Sequence, residues 1–386
     1  MASLEVPNAV PKDLPSGRRT LRYYRPGLDF LRCIAFFLVF SHHALPKSRT
    51  GLFSLRNAIQ EFGGAGVCLF FTLSAFLITE LLLRELEASG TIHIRAFYVR
   101  RILRIWPLYL TILILGVAFP HLYHRFPKGE HLIVPYLLMA GNWAFVFHAD
   151  TRNILLVPLW SISVEEQFYV IWPSILLLWR KRGVVVAILI ILPLAWATDY
   201  VLPALNTPKN PSLWCNSFSQ FQFFAIGGMV ALFMHRRPLK LALPLRLLAI
   251  AIAFACFFLA AFPCHFLNPL IFSSPGHVLA GYLSIDLGCL LLLLAFLDVH
   301  LPSASRPLIY LGKISYGLYA FHMFILGSVV HFTEKTVQVS SSLQIWLNWT
   351  ITALILVPLA SLSYEYFERP FLRFKERFTF VASRSV

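Results

Sequence analysis

An all-α, polytopic membrane fold of about ten transmembrane helices plus one re-entrant or interfacial segment is what this sequence predicts, and three observations predict it. First, 58% of the 386 residues are hydrophobic and only 13% are charged, against roughly 25% charged in a soluble domain. Second, apolar runs recur along nearly the whole chain, at 28–45, 65–84, 102–119, 132–147, 155–179, 184–201, 219–234, 245–262, 278–297, 308–331 and 345–367. Their lengths suit a bilayer core, which takes about 20 apolar residues per helix. Third, the basic residues stand in short clusters between those runs: Arg18–Arg25, Arg95–Arg104, Arg180–Arg182, Arg236–Lys240 and Arg369–Arg377. Clusters so placed fix orientation in a membrane. The net charge of +15 therefore points to the lipid bilayer as partner, and no nucleic acid is expected.

The runs are too long and too apolar for barrel strands, so the spanning elements are helices. Charge decides which of them cross. If every run crossed from a cytosolic N-terminus, Arg180-Lys181-Arg182, Arg236-Arg237 and the basic C-terminal tail would face outward. Demoting the fourth run, 132–147, returns all of them to the cytosol. That run is short, holds Pro135 and the Gly141-Asn142-Trp143 break, and is flanked by His131 and His148. The expected organisation is a cytosolic basic tail over 1–26, a transmembrane domain over 27–370 and a cytosolic basic tail over 371–386. The first 26 residues are polar, basic and proline-bearing, unlike a signal peptide. Outer loops near 46–64, 120–153, 202–218 and 264–277 are expected to shape the outward side of any site.

Six cysteines show no CxxC pair and no zinc-like spacing. No metal and no permanently bound cofactor is expected. Cys33, Cys68, Cys256 and Cys289 lie in apolar runs and read as small core hydrophobes. Cys215 and Cys264 fall in expected outer loops, where they either pair or stay free.

Three constellations carry chemistry. The first span reads Leu28-Asp29-Phe30-Leu31-Arg32 and then reaches His43. A charge inside a spanning helix costs about 2.5–3.5 kcal/mol on insertion scales, so a partner or a function is the default reading. Eleven residues at 100° each end about 20° past three full turns, so Arg32 and His43 share a face about 16 Å apart along the axis. His42 points about 80° away from that line. The alternative is a snorkelling arginine with a histidine at the opposite interface. In the second constellation, Tyr98 to Pro107, Arg101 and Arg104 are helical neighbours and form either a phosphate clamp or an orientation anchor without a ligand. In the third, Leu159 to Tyr169, Glu165 and Glu166 stand in an apolar helix. They serve to orient a histidine, to act as a base, or to bond a neighbouring helix.

Several stretches in one order resemble a known family. They are the Arg32–His43 spacing, Phe70-Phe71-Thr72-Leu73-Ser74-Ala75-Phe76-Leu77-Ile78-Thr79, the Arg101/Arg104 pair with Pro107, Trp160–Tyr169, Ile314-Ser315-Tyr316-Gly317-Leu318-Tyr319-Ala320-Phe321-His322, and Phe367-Glu368-Arg369-Pro370-Phe371. Together, over about residues 27–371, they resemble the membrane-bound acyltransferase family three, whose members O-acylate surface polysaccharides, peptidoglycan and some small molecules. The resemblance implies ten or so spans, an acyl-CoA co-substrate (acetyl-CoA foremost) and functional roles at Arg32, His43, Arg101 and Arg104. Ala75 stands where a glycine is usual and Cys68 where an acidic residue is common. The hydrolase-like domain fused to some members has no counterpart here.

The resulting expectation is a membrane O-acyltransferase of the bacterial inner membrane with both termini cytosolic. It would move an acyl group from cytosolic acyl-CoA to a hydroxyl of an extracytoplasmic glycan or lipid-linked saccharide. Arg101 and Arg104 would bind the donor. Arg32 would line the donor's path, His43 would act as base or acyl carrier, and Glu165 would orient His43. Asp29, Ser74 and Glu368 complete the candidate set, Glu368 as a counter-charge to the arginines. The rival is a multi-pass transporter of an anionic or acylated solute, for which intramembrane charges are equally natural.

Overall fold

The computed structural model describes residues 21–45, 55–118, 133–147, 156–205, 213–265, 274–336 and 340–382. The tail residues 1–20 and 383–386, and much of each expected outer loop, lie outside them. Helices make almost all of it: α1 (Pro26–Ala44), α2 (Leu55–Glu61), α3 (Gly63–Ser89), α4 (Ile94–Ala118), α5 (Ile133–Leu137), α6 (Gly141–Phe147) and α7 (Leu159–Ala204). There follow α8 (Ser217–Met234), α9 (Leu243–Ala261), α10 (Pro275–Phe296), α11 (Arg306–Lys313), α12 (Ser315–Thr336), α13 (Ser341–Leu362) and α14 (Arg369–Lys375). Local sequence sets several starts. Pro26 opens α1 after an extended Arg25, the position where a missing N–H costs nothing. Asn216 and Ser274 cap α8 and α10 by accepting backbone N–H groups of Phe218 and His277.

Among the described residues, eight helices are long and apolar enough to cross a membrane, or nine when the pair α11 and α12, bent by 65°, counts as one broken span. The ninth-to-tenth step lies inside α7. Its 46 residues would run about 69 Å if straight, twice a hydrocarbon core of about 30 Å. Arg180 breaks it with φ 52° and ψ −142°, so residues 159–179 and 181–204 are two helical halves, each long enough to cross, and counting them separately gives the ten of the sequence reading. The fourth apolar run does not cross. It forms only α5 and α6, five and seven residues long, separated by Met139 at φ 53°. A buried polar net holds it in the bundle. Asn142 donates to the Cys215 carbonyl at 3.0 Å and to Ser217 Oγ at 2.9 Å, and accepts from Gln167 at 2.8 Å.

The first and last described segments meet on one face. Leu21–Arg22 pairs in parallel with Val381–Ala382, and Arg100 donates to the Phe378 carbonyl. The C-terminal end of α3 gathers the basic clusters on that same face. Arg100 pairs with Glu85 at 2.8 Å, Arg236 and Lys181 with Glu87 at 2.6 and 3.7 Å, and Arg180 donates to the Gly90 carbonyl. First and last described segments that pair in this way require an even number of crossings between them, as ten is.

Close helix contacts use small residues, as lipid-embedded bundles do. A Cβ on Gly227 of α8 would collide with the Thr72 carbonyl of α3 and stand 2.9 Å from Ala75 Cβ. The close approach that a glycine at position 75 would permit thus comes from Gly227 across the interface. Likewise a Cβ on Gly312 of α11 would collide with the Asp29 carbonyl of α1. The outward faces are apolar: Leu189 is 68% exposed, Leu354 69% and Leu178 69%, which suits lipid contact. Cys215 keeps a free, buried thiol, so the pairing with Cys264 is not formed; packing against the Asn142 net places it inside the bundle rather than in an open loop.

Candidate active site

α1 sets the axis of the site. Arg32 is only 7% exposed and its Nη1 lies 3.1 Å from Asp29 Oδ1, one turn earlier. A guanidinium that deep in the bundle needs a counter-charge, and Asp29 supplies it from the same helix. α4 brings Arg101 and Arg104 to the same place. The Arg101 guanidinium lies 5.6 Å from the Phe97 ring and 5.4 Å from the Tyr169 ring, beside two rings that meet edge to face at 6.4 Å, so cation–π contact with both helps to place it. The Tyr169 hydroxyl donates to Glu165 Oε1 one turn away on α7.

These side chains enclose a cavity of about 90 Å³ lined by Arg32, Ser74, Arg101, Arg104, Glu165 and Tyr169, with Ser161, Ser315, Tyr316 and Tyr319 among the remaining walls. Three guanidiniums and one carboxylate thus line a narrow chamber. Glu368 stands behind it, 8% exposed, accepting from Ser363 Oγ at 3.4 Å and within electrostatic reach of Arg104. Arg32, Arg101, Arg104 and Glu165, charged residues in apolar helices, and Ser74, which stands in one of the family-like stretches, converge on one space.

His43 stands at the other end of α1, half-buried. Its ring neighbours are His42, at 5.1 Å between centroids, and His322, at 5.3 Å. His42 turns away: its Nδ1 donates to the Gln60 carbonyl at 2.7 Å, and Gly63 leaves room for its Cβ. Glu165 was expected to orient His43. In the structure Glu165 sits in the arginine chamber and bonds Tyr169, because α7 presents that turn to the guanidiniums; the side chain beside His43 is His322.

α12 links the two ends. Ser315, Tyr316 and Tyr319 line the chamber, and His322 follows three residues after Tyr319 on the same face. The Tyr319 hydroxyl lies 2.6 Å from Ser161 Oγ, and the Tyr319 carbonyl 2.6 Å from His322 Nδ1. His322 is fully buried. Ser161, Tyr319 and His322 were not singled out as site residues from the sequence. The available signal was polar side chains three apart in an apolar run. Among the described residues no group of three or more His, Cys, Asp or Glu is placed to hold a metal ion.

Comparison with known proteins gives a consistent outcome. A family model described as an acyltransferase domain matches residues 25–365. The peptidoglycan O-acetyltransferase OatA of Listeria monocytogenes serovar 1/2a is 25% identical over an alignment covering 92% of this chain and 57% of that protein. The Bacillus subtilis (strain 168) protein YrhL, provisionally named a peptidoglycan O-acetyltransferase, is 28% identical over 90% of this chain and 55% of its own length. A Staphylococcus aureus (strain MSSA476) protein, provisionally named an O-acetyltransferase, is 25% identical over 90% and 57%. The chain therefore spans little more than half the length of these relatives. No solved structure matches it.

Proposed function

The chain belongs to the family described as an acyltransferase domain, and from that premise we propose that it moves an acyl group from a cytosolic acyl-CoA to a hydroxyl of an extracytoplasmic glycan or lipid-linked saccharide. Acetyl is the first acyl group to test and peptidoglycan the first acceptor, since the relatives' names carry both. The observation that carries the reading is the pairing of a three-arginine chamber, built on α1 and α4 and walled by α12, with a histidine end on α1 and α12.

Arg101 and Arg104 hold the donor's phosphates, where charge-assisted hydrogen bonds from a planar fork are strongest. The donor's slender arm passes Arg32 through the chamber. The separation of about 16 Å between Arg32 and His43 along α1 is the distance the arm must cover. At the far end His43 takes the proton of the acceptor hydroxyl. The oxygen attacks the thioester carbonyl carbon, the new C–O bond forms as the C–S bond breaks, and the leaving thiolate takes the proton back from the His43 imidazolium. Ester, free thiol and neutral His43 remain. The face that carries Arg180–Arg182, Arg236 and the paired tails is cytosolic in this reading, by the positive-inside rule.

The test is a vesicle assay. Purified protein in liposomes receives radiolabelled acetyl-CoA on the face bearing the tails and a soluble peptidoglycan saccharide on the other. Label in the saccharide, with free CoA released on the donor side, is the expected result. Intact acetyl-CoA on the donor side together with unlabelled saccharide would overturn the reading, and movement of uncleaved label would favour transport.

A further inference from the structure

We propose that His322 is the positioning residue for His43: its Nε2, unpaired as the rings stand, takes the ring N–H of His43 when the two adjoining rings turn toward each other, which fixes the tautomer of His43 and leaves the other His43 nitrogen free to take the acceptor's proton. The inference rests on the acyl-transfer reading given above and adds a residue to it.

The tautomer of His322 follows from its partner. Its Nδ1 lies 2.6 Å from the Tyr319 carbonyl oxygen, and a carbonyl only accepts, so Nδ1 carries the hydrogen and Nε2 the lone pair. That Nε2 is buried and has no hydrogen-bond partner among the described residues, in a side chain of 0% exposure. A buried acceptor left unpaired is costly, and such atoms in native structures call for an explanation. Three rings surround it: Phe36 at 6.4 Å, Tyr319 at 5.4 Å and His43 at 5.3 Å between centroids. Phe36 has no polar atom. The Tyr319 hydroxyl is engaged by Ser161 Oγ and the Pro158 carbonyl. His43 alone among the three brings a ring nitrogen able to donate.

The arrangement is an imidazole held by a backbone carbonyl behind a second imidazole that faces the reaction. A base works when one nitrogen is committed to a fixed acceptor and the other presents its lone pair. His322 supplies that acceptor in an apolar setting and stays neutral while His43 gains and returns the proton. Its position one turn after Tyr319 ties this setting to the chamber wall, so His322 is carried by the same helix that walls the chamber.

Side-chain length separates this role from packing. Glutamine places its amide at the position of Nε2, asparagine at that of Nδ1. The experiment measures kcat and acetyl-CoA affinity for His322→Gln, His322→Asn and His322→Leu in liposomes, beside His43→Ala. The expected result is a loss of about tenfold to hundredfold in kcat for Asn and Leu, a smaller loss for Gln, and unchanged donor affinity in all three. A Leu variant that turns over like the parent, an Asn variant as active as Gln, or loss of donor affinity in step with kcat would overturn the assignment and leave His322 a packing residue. If His43→Ala itself keeps full transfer, the acyl-transfer mechanism fails instead.

Discussion

Tyr319 and His322 are joined through one carbonyl: the Tyr319 main chain accepts the His322 Nδ1 hydrogen at 2.6 Å while the Tyr319 hydroxyl reaches Ser161 Oγ at 2.6 Å. One residue therefore touches both ends of the path. Its side chain is part of the chamber wall, and its backbone sets the tautomer of a histidine a turn away. A shift of α12 that opened the chamber would also move His322 against His43, so in the proposed mechanism donor placement and the base are coupled by a rigid element rather than by a flexible loop.

The donor end predicts its own signature. Arg101→Ala and Arg104→Ala each remove charge-assisted hydrogen bonds worth about 1.5–3 kcal/mol, so acetyl-CoA affinity should fall about tenfold to a hundredfold. Lys replacements should recover part of it, since an ammonium lacks the planar fork; at Arg101 the guanidinium's contacts with the Phe97 and Tyr169 rings also change. Titration calorimetry on purified protein decides. Parental affinity in both Ala variants would make the pair an orientation anchor.

Helix packing predicts a stability change where no chemistry is involved. Gly312→Ala drives a Cβ into the Asp29 carbonyl, and α1 must shift to relieve it. Overpacking of this kind costs about 1–3 kcal/mol, read as a lower melting temperature in detergent. Because Asp29 also pairs with Arg32 at 3.1 Å, activity should fall as well. Gly276→Ala, whose Cβ would meet nothing nearer than Ser274 Oγ at 3.8 Å, should melt like the parent.

Much of this was legible in the chain. Charge placement, with the run's shortness, Pro135 and the Gly141-Asn142-Trp143 break, demotes the 132–147 run, and α5 and α6 are too short to cross. Helical spacing put Arg32 and Arg101/Arg104 among the candidates, because intramembrane arginines are rare enough to stand out. The histidine end was only half visible. His43 is singled out by its angle to Arg32, but His322 lies 279 positions further on, and its contact depends on how α1 and α12 pack. Glu165 shows the same limit: a carboxylate near a membrane face can serve a histidine or an arginine, and only packing decides which. The kink at Arg180 left a mark in the basic Arg180-Lys181-Arg182 break but none in any proline or glycine at that position.

Topology offers an independent check. The ten-crossing reading puts residues after Arg182 and after Arg237 on the side of the tails, and Leu205, at the end of the second half of α7, on the other. Reporter fusions should read cytosolic at the first two and outside at Leu205. A cytosolic Leu205 would mean that the two halves of α7 do not both cross.

The sharpest prediction separates two adjacent histidines. His42 and His43 differ by about 1.5 Å in depth, so lipid exposure or general damage to α1 should affect them alike. Their partners differ. His42 donates to the Gln60 carbonyl at 2.7 Å, a bond that ties α1 to α2, and losing it should cost about 1 kcal/mol of stability with most activity kept. His43 faces His322 and shares the side of α1 that carries Arg32. His43→Ala should therefore abolish acyl transfer, a loss of at least about a hundredfold, while melting temperature and acetyl-CoA affinity stay near the parent's. Arg32→Ala should lose activity together with donor affinity, since it lines the chamber. Measuring melting, donor affinity and turnover on the three variants gives three different patterns. Equal losses at 42 and 43, or an active His43→Ala enzyme, would take the base away from His43 and leave Glu165, inside the chamber, as the next carboxylate to test.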